Sequence, residues 1–235
     1  EDSAVIKRVL ADAGADLEGF DGYLDDAGAA ENARLQVEAF DGGVFGVPTY
    51  VVGNERFFGR EHLPRIRWLL AGSRGPAPDI ACELLPDSRI EPAPSRTLDI
   101  GICRDDPESL LAIPRILALR EALDIELRWF ELPSRRRSGT PAPDDGSRGS
   151  RHRRYRTANR ERDWQRYAAP APAQVSAAID QALGQAGVQL AEDGAIDSWS
   201  GMASMSGYVG SPVFRIGEET FVGRQHLPLI RARFA

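Results

Sequence analysis

A repeat of long period is the feature that most constrains the fold of this chain. Residues 43–50, GVFGVPTY, return 164 positions later as residues 207–214, GYVGSPVF, and the match continues without a gap. Repetition at this period indicates two copies of a domain rather than a solenoid of short units. The residues that recur unchanged are Gly43, Gly46, Pro48, Gly53, Glu55, Phe57, Gly59, Arg60, His62, Leu63, Pro64, Ile66 and Arg67.

The repeated stretch predicts a β-hairpin followed by a helix. In each copy a turn of small residues leads through X-Pro into a short apolar strand, at 49–52 and at 213–216. A glycine-containing turn and a second strand follow, and a helix begins near Arg60 or Arg224.

The second copy carries a strand, a helix and another strand ahead of its hairpin. Residues 98–102 and 125–132 alternate apolar and polar positions, and residues 107–123 have the pattern of a helix. The first copy has no equivalent unit before its hairpin, and residue 1 is not methionine. We therefore expect natural sequence upstream of Glu1.

Composition is that of an ordinary globular protein. The 235 residues are 42% hydrophobic and carry a net charge of −6, which argues against nucleic acid as the main partner. Cys82 and Cys103 are far apart and form no Cys-X-X-Cys motif, so they indicate neither a disulfide framework nor a dithiol redox site. No apolar run has the length of a membrane helix, so we expect no membrane association and a cytoplasmic protein.

The order of these patterns predicts three regions. Residues 1–71 are the C-terminal half of a first domain, the proline-rich residues 72–96 are a linker, and residues 97–235 are a second, shortened domain. Within the second domain, residues 151–168, 173–184 and 195–205 have helical patterns, and residues 134–150 have the composition of a loop. The prediction is an α/β, thioredoxin-like fold with an inserted helical subdomain, present as a tandem repeat.

These motifs resemble a known family. The stretch GVFGVPTYVV at 43–52 with FFGRE at 57–61 looks like the C-terminal half of 2-hydroxychromene-2-carboxylate isomerases, kappa-class glutathione transferases and their DsbA-like relatives. Residues 152–164 are similar to the basic, aromatic helix that opens the helical insertion of that family. The resemblance implies a thioredoxin-like fold in tandem, with glutathione as cofactor.

The resemblance also implies where glutathione binds. In thioredoxin-like folds the X-Pro bond is cis, which proline tolerates at low cost, and the residue before it pairs with the cysteinyl backbone of glutathione. A helix start that carries arginine favours the γ-glutamyl carboxylate. The matching positions are Val47, Pro48, Arg60 and Glu61 in the first copy and Ser211, Pro212, Arg224 and Gln225 in the second. The competing interpretation is that they are turn and capping residues.

The catalytic position of the family falls on Asp106. The family has Ser-Pro at the start of the first helix, where the hydroxyl stabilises the glutathione thiolate, and here the pair is Asp106-Pro107. A carboxylate opposes a thiolate unless it is protonated, so the second copy looks catalytically degenerate and Asp106 reads as a helix N-cap. Ser109 does not match the family spacing.

His62 and His226 are equivalent in the repeat and invite a metal or acid–base interpretation. No Cys, His or carboxylate cluster has ligand spacing, so we expect no metal site and a role in the first helical turn. Arginine clusters at 135–137 and 151–154 fit a solvated loop beside a pocket for an anionic substrate.

The resemblance implies a glutathione-dependent isomerase that acts on a conjugated aromatic acid, with its chemistry in the first copy. The resemblance also leaves open a kappa-type glutathione transferase, and the acidic residue at the catalytic position leaves open a non-catalytic scaffold or binding module. The expected partners are glutathione and a small organic acid, and a homodimer stays open.

Overall fold

The computed structural model describes residues 2–85, 89–132, 145–167, 172–191 and 211–235. The chain forms two compact units, Glu1–Val47 and Pro48–Ala235. The first hairpin and the helix that follows it belong to the same compact unit as the second copy. The predicted helix at 195–205, residues 207–210 of the repeat and most of the predicted loop at 134–150 lie outside the described residues.

The first unit consists of helices. They are α1 (Ser3–Asp12), α2 (Phe20–Asp25) and α3 (Ala27–Asp41). Asp2 caps α1, since its carboxylate accepts a hydrogen bond from the Ala4 N–H at 2.9 Å. Phe40 is the one buried hydrophobic residue of residues 2–47. The first unit therefore buries little apolar surface of its own.

The second unit contains two sheets. The first is the hairpin of β1 (Thr49–Val52) and β2 (Glu55–Phe58), followed by a 3₁₀ turn (Arg60–His62) and α4 (Leu63–Leu70). The second sheet has the order β4-β3-β5-β6 and is built from β3 (Thr97–Ile102), β4 (Glu126–Glu131), β5 (Val213–Ile216) and β6 (Glu219–Val222). The predicted strands of both copies are confirmed within about two residues, the usual uncertainty of element boundaries.

Four further helices of the described chain belong to the same unit as the four-stranded sheet. They are α5 (Pro107–Ala122), α6 (Arg148–Arg166), α7 (Val175–Gln185) and α8 (Leu227–Phe234), the last after a 3₁₀ turn (Arg224–His226). β3 runs parallel to β4 and antiparallel to β5, as a strand–helix–strand unit followed by a hairpin requires. One apolar core joins β3, α5, α7, β5 and α8. This is the mixed α/β, thioredoxin-like arrangement expected from the sequence.

The two hairpin–helix units have the same local geometry. β1 and β5, β2 and β6, the 3₁₀ turns, and α4 and α8 begin and end at positions related by the repeat. Gly59 and Gly223 occupy φ angles of 104° and 93°, a region that side chains with a Cβ rarely adopt. Their N–H groups donate to the carbonyls of Pro48 and Pro212 at 3.0 and 2.8 Å. The repeated sequence therefore produces the same turn twice.

Candidate active site

Asp106 joins the start of α5 to the loop before β5. It is the N-cap of α5, and its Oδ1 accepts a hydrogen bond from the Glu108 N–H at 3.0 Å. Its Oδ2 accepts from the Ser211 N–H at 3.3 Å and from the Ser211 Oγ–H at 2.8 Å. The two positions that the family resemblance selected, 105 residues apart in sequence, are thus in direct contact.

A buried hydroxyl pair lies behind this contact. Ser109 is fully buried, its Oγ is 2.7 Å from the Ser211 Oγ, and it accepts a hydrogen bond from the Cys103 N–H at 3.0 Å. The Cys103 thiol donates to Asp105 Oδ1 at 2.7 Å. The sequence did not predict Ser109 as a site residue, because its position relative to Pro107 differs from that of the family serine. A serine one turn beyond a cap points back toward the helix start, which is the signal that could have identified it.

Burial shifts the pKa of Asp106. Desolvation raises the pKa of its carboxyl group, and the hydrogen bonds from Ser211 only partly oppose that effect. The neighbouring Asp105 acts in the same direction as burial. Ionisation of the Asp106 carboxyl group is therefore less favourable in the folded protein than it is for an aspartate in water.

The loop residue Ser211 is engaged inside the protein. Ser211 and Pro212 are both buried, and the peptide bond between them is cis. The Ser211 N–H, which the resemblance assigns to glutathione, donates to Asp106. In the first copy the Val47–Pro48 bond is not cis, so the expectation of a cis bond in both copies is wrong for the first.

Arg224, the equivalent arginine of the second copy, is buried and forms ion pairs. Its side chain is 1% exposed and forms ion pairs with Asp79, at 3.0 Å, and with Glu108. Its guanidinium also lies 5.0 Å from the centre of the Tyr167 ring. Gln225, the next residue, donates from Nε2 to the Val222 carbonyl at 3.0 Å. The polar groups that the resemblance assigns to the γ-glutamyl end thus bind other parts of the chain.

The equivalent positions of the first copy are more open. Arg60 is exposed and forms no ion pair with any residue that the structure describes, and the Val47 side chain is 87% exposed. The Glu61 carboxylate lies against Gly59, so close that it would clash with a Cβ on any other residue at that position. Burial raises the pKa of Glu61. The first copy therefore leaves its arginine to solvent, whereas the second encloses it.

His62 belongs to a polar cluster between α4 and α6. It is 4% exposed, its Nδ1 lies 2.9 Å from the Tyr167 hydroxyl, and its Nε2 lies 3.7 Å from Asp163 Oδ2. Desolvation, with nearby arginines, lowers the pKa of His62 to about 4, and burial raises the pKa of Asp163 to about 6. Burial also lowers the pKa of His226. His62 is therefore a neutral residue of the interior as well as part of the turn before α4.

Arg166 connects α6 to the first hairpin. Its guanidinium forms ion pairs with Asp163 and with Glu55, the latter at 3.0 Å, and donates to the Arg56 carbonyl at 3.0 Å. It also lies 4.0 Å from the centre of the Phe57 ring. These contacts attach the helix of the second copy to the sheet of the first.

Neither a metal cluster nor a membrane helix is found in the described part of the chain. No three His, Cys, Asp or Glu side chains there converge with the geometry that a metal ion needs. None of the described helices combines the length and hydropathy needed to cross a bilayer.

Comparison with known proteins finds a family match for the N-terminal part of the chain. Residues 1–71 match the family described as the DSBA-like thioredoxin domain. A solved structure of 2-hydroxychromene-2-carboxylate isomerase aligns with 58% of this chain and 93% of its own, at 16% identity and a TM-score of 0.32. Comparison with curated proteins gives no match. The described chain thus has a mixed α/β fold, and its residues 1–71 are similar to a DsbA-like thioredoxin domain.

Proposed function

We propose that the protein is a glutathione-dependent isomerase, acting on a conjugated aromatic organic acid, in which the first copy binds glutathione. The observation that carries this proposal is the difference between Arg60 and Arg224. They are equivalent in the repeat, yet Arg60 is exposed and Arg224 is paired with two carboxylates. An arginine at a helix start binds a ligand carboxylate only where no internal acid already neutralises it.

We assign glutathione to the first copy because the corresponding polar groups of the second copy are already bonded within the chain. Its Ser211 N–H donates to Asp106, and Asp79, Asp106 and Glu108 surround the start of α5 with carboxyl groups. Asp79 and Glu108 already pair with Arg224, so this arginine is not free to bind a ligand carboxylate. We therefore assign Asp106 the roles of N-cap and partner of Ser211, and no step of the reaction.

In the first copy, the chain's own residues would bind glutathione and orient it. Arg60 would hold a ligand carboxylate through charge-assisted hydrogen bonds. Bound glutathione would supply a thiolate that adds to the conjugated carbonyl compound, allows rotation about the resulting single bond, and leaves unchanged. A kappa-type transferase would use the same binding residues but consume the thiol.

The test measures the conversion of 2-hydroxychromene-2-carboxylate by ultraviolet absorbance, with and without glutathione. We expect conversion that requires glutathione and leaves the total thiol concentration constant. Loss of thiol in parallel with product would indicate the transferase. Arg60→Ala should lower the rate, whereas Arg67→Ala, on the exposed side of α4, serves as the matched control.

A catalytically inactive binding module is the second candidate. It is favoured by the contact between Asp106 and Ser211, because that contact uses the donor that a thioredoxin-type site offers to its ligand. The absence of glutathione-dependent turnover, together with the absence of glutathione binding, would support this candidate and refute the isomerase.

A further inference from the structure

The linker segment of residues 79–82 is docked between the two copies of the repeat. The Ala81 N–H donates to the Glu61 carbonyl at 2.9 Å, and the Cys82 N–H donates to the Gln225 carbonyl at 2.7 Å. Glu61 and Gln225 are equivalent positions, each the second residue of a 3₁₀ turn. Two consecutive N–H groups of the linker thus donate to equivalent carbonyls, one in each copy of the repeat.

Two arginines of the second copy converge on the Asp79 carboxylate. Arg224 donates from Nε to both oxygens, at 3.1 and 3.2 Å, and its Nη2 lies 3.0 Å from Oδ1. Arg115 donates from Nη1 to Oδ2 at 2.9 Å and to the Ile80 carbonyl at 3.2 Å. One carboxylate therefore receives charge-assisted hydrogen bonds from guanidinium groups on two different elements.

The remaining contacts of segment 79–82 are those of a bound peptide. Ile80 is buried beside Asp79, and the flanking main chain supplies the two hydrogen bonds to the repeats. Despite its burial, Asp79 has a lowered pKa because of Arg224 and Arg115. A carboxylate, an apolar anchor and main-chain hydrogen bonds are the elements by which extended peptides are recognised.

We infer that Arg115 and Arg224 form a carboxylate-binding site, which the chain fills with its own Asp79, and that a small free carboxylate can take its place when the Asp79 side chain is removed. The site lies on the second copy and does not depend on the proposed isomerase function. Because the segment is tethered, its effective concentration at the arginines is high, so the intact chain excludes small acids from them.

The experiment is a chemical rescue of the full chain with acetate. Asp79→Ala leaves the two arginines without this partner and opens a space beside them, so its Tm should fall. Sodium acetate should raise the Tm of Asp79→Ala relative to sodium chloride at the same ionic strength. Acetate should leave the wild-type Tm unchanged. Glu83→Ala is the matched control, because Glu83 lies in the same linker and pairs with the exposed Arg67.

A second variant keeps the inference testable if Asp79→Ala does not fold. Asp79→Asn retains the size of the side chain and removes its charge, so the amides of Ala81 and Cys82 should exchange at least about tenfold faster than in the wild type. Acetate should not rescue Asp79→Asn, since the amide still fills the space. The inference is overturned if acetate shifts all the proteins equally, if Asp79→Ala keeps the wild-type Tm, or if exchange in Asp79→Asn is unchanged.

Discussion

Asp106 accepts two hydrogen bonds from Ser211 through a single carboxylate oxygen, one from the main-chain N–H and one from the hydroxyl. The residue that caps α5 therefore also fixes the residue before Pro212. This contact makes the start of α5 and the loop before β5 one rigid polar unit, in which the buried Ser109 hydroxyl takes part.

Removing the Asp106 carboxylate should destabilise the protein. Asp106→Ala leaves the buried Ser211 N–H and the first turn of α5 without an acceptor, which costs about 1–3 kcal/mol of unfolding free energy. Urea unfolding followed by circular dichroism measures the loss. Asp124→Ala, which changes an exposed carboxylate outside this unit, is the control. Equal stabilities for the two variants would show that the contact contributes nothing.

The burial of His62 predicts a pH dependence of stability. Its pKa is about 4 in the folded protein and 6.5 in the unfolded chain, so the unfolded state binds the proton first as the pH falls. The contribution of His62 is therefore fully present above pH 6.5 and is lost between pH 6.5 and pH 4, by up to about 3 kcal/mol.

Asp163 should act in the opposite direction. Its pKa is raised to about 6, so its contribution is fully present below the unfolded pKa of 3.8 and is lost as the pH rises through 6. The two effects are separated by comparing urea unfolding of the wild type and His62→Gln at each pH. The difference between these proteins should change between pH 6.5 and pH 4. A constant difference across that range would contradict the assignment of His62 as a buried neutral residue.

Arg166 should be the main link between α6 and the first hairpin. Lysine cannot reach Asp163, Glu55 and the Arg56 carbonyl together while lying over Phe57, so Arg166→Lys should cost on the order of 3 kcal/mol. The midpoint of urea unfolding measures this, with Arg156→Lys on the exposed face of the same helix as the control. A midpoint equal to that of the control would mean that the cluster does not hold these elements together.

Local patterns in the sequence predicted most of the regular structure. The alternation in β3 and β4, the capping by Asp106, and the glycine turns of both hairpins depend on residues close together in the chain. The repeat also predicted that both hairpins would have the same register, as β1 with β2 and β5 with β6 do.

Local sequence patterns could not predict which residues the site residues contact in the folded protein. Asp79 lies 145 residues from Arg224, in a stretch that the sequence identifies only as a proline-rich linker. No periodicity marks an ion pair of this kind, because it depends on how the elements pack. For the same reason the sequence does not reveal the contacts of Arg166 and Tyr167, which join α6 to the first hairpin and its 3₁₀ turn.

Calorimetric titration of glutathione into the full chain tests the central claim most directly. The proteins to compare are the wild type, Arg60→Ala and Gln225→Ala, in which each substitution affects the helix start of one copy. If glutathione binds the first copy, Arg60→Ala should weaken binding by about tenfold or more, as loss of a charge-assisted contact does, and Gln225→Ala should leave it unchanged. Wild-type protein that does not bind glutathione, or a larger loss in Gln225→Ala than in Arg60→Ala, would contradict the account.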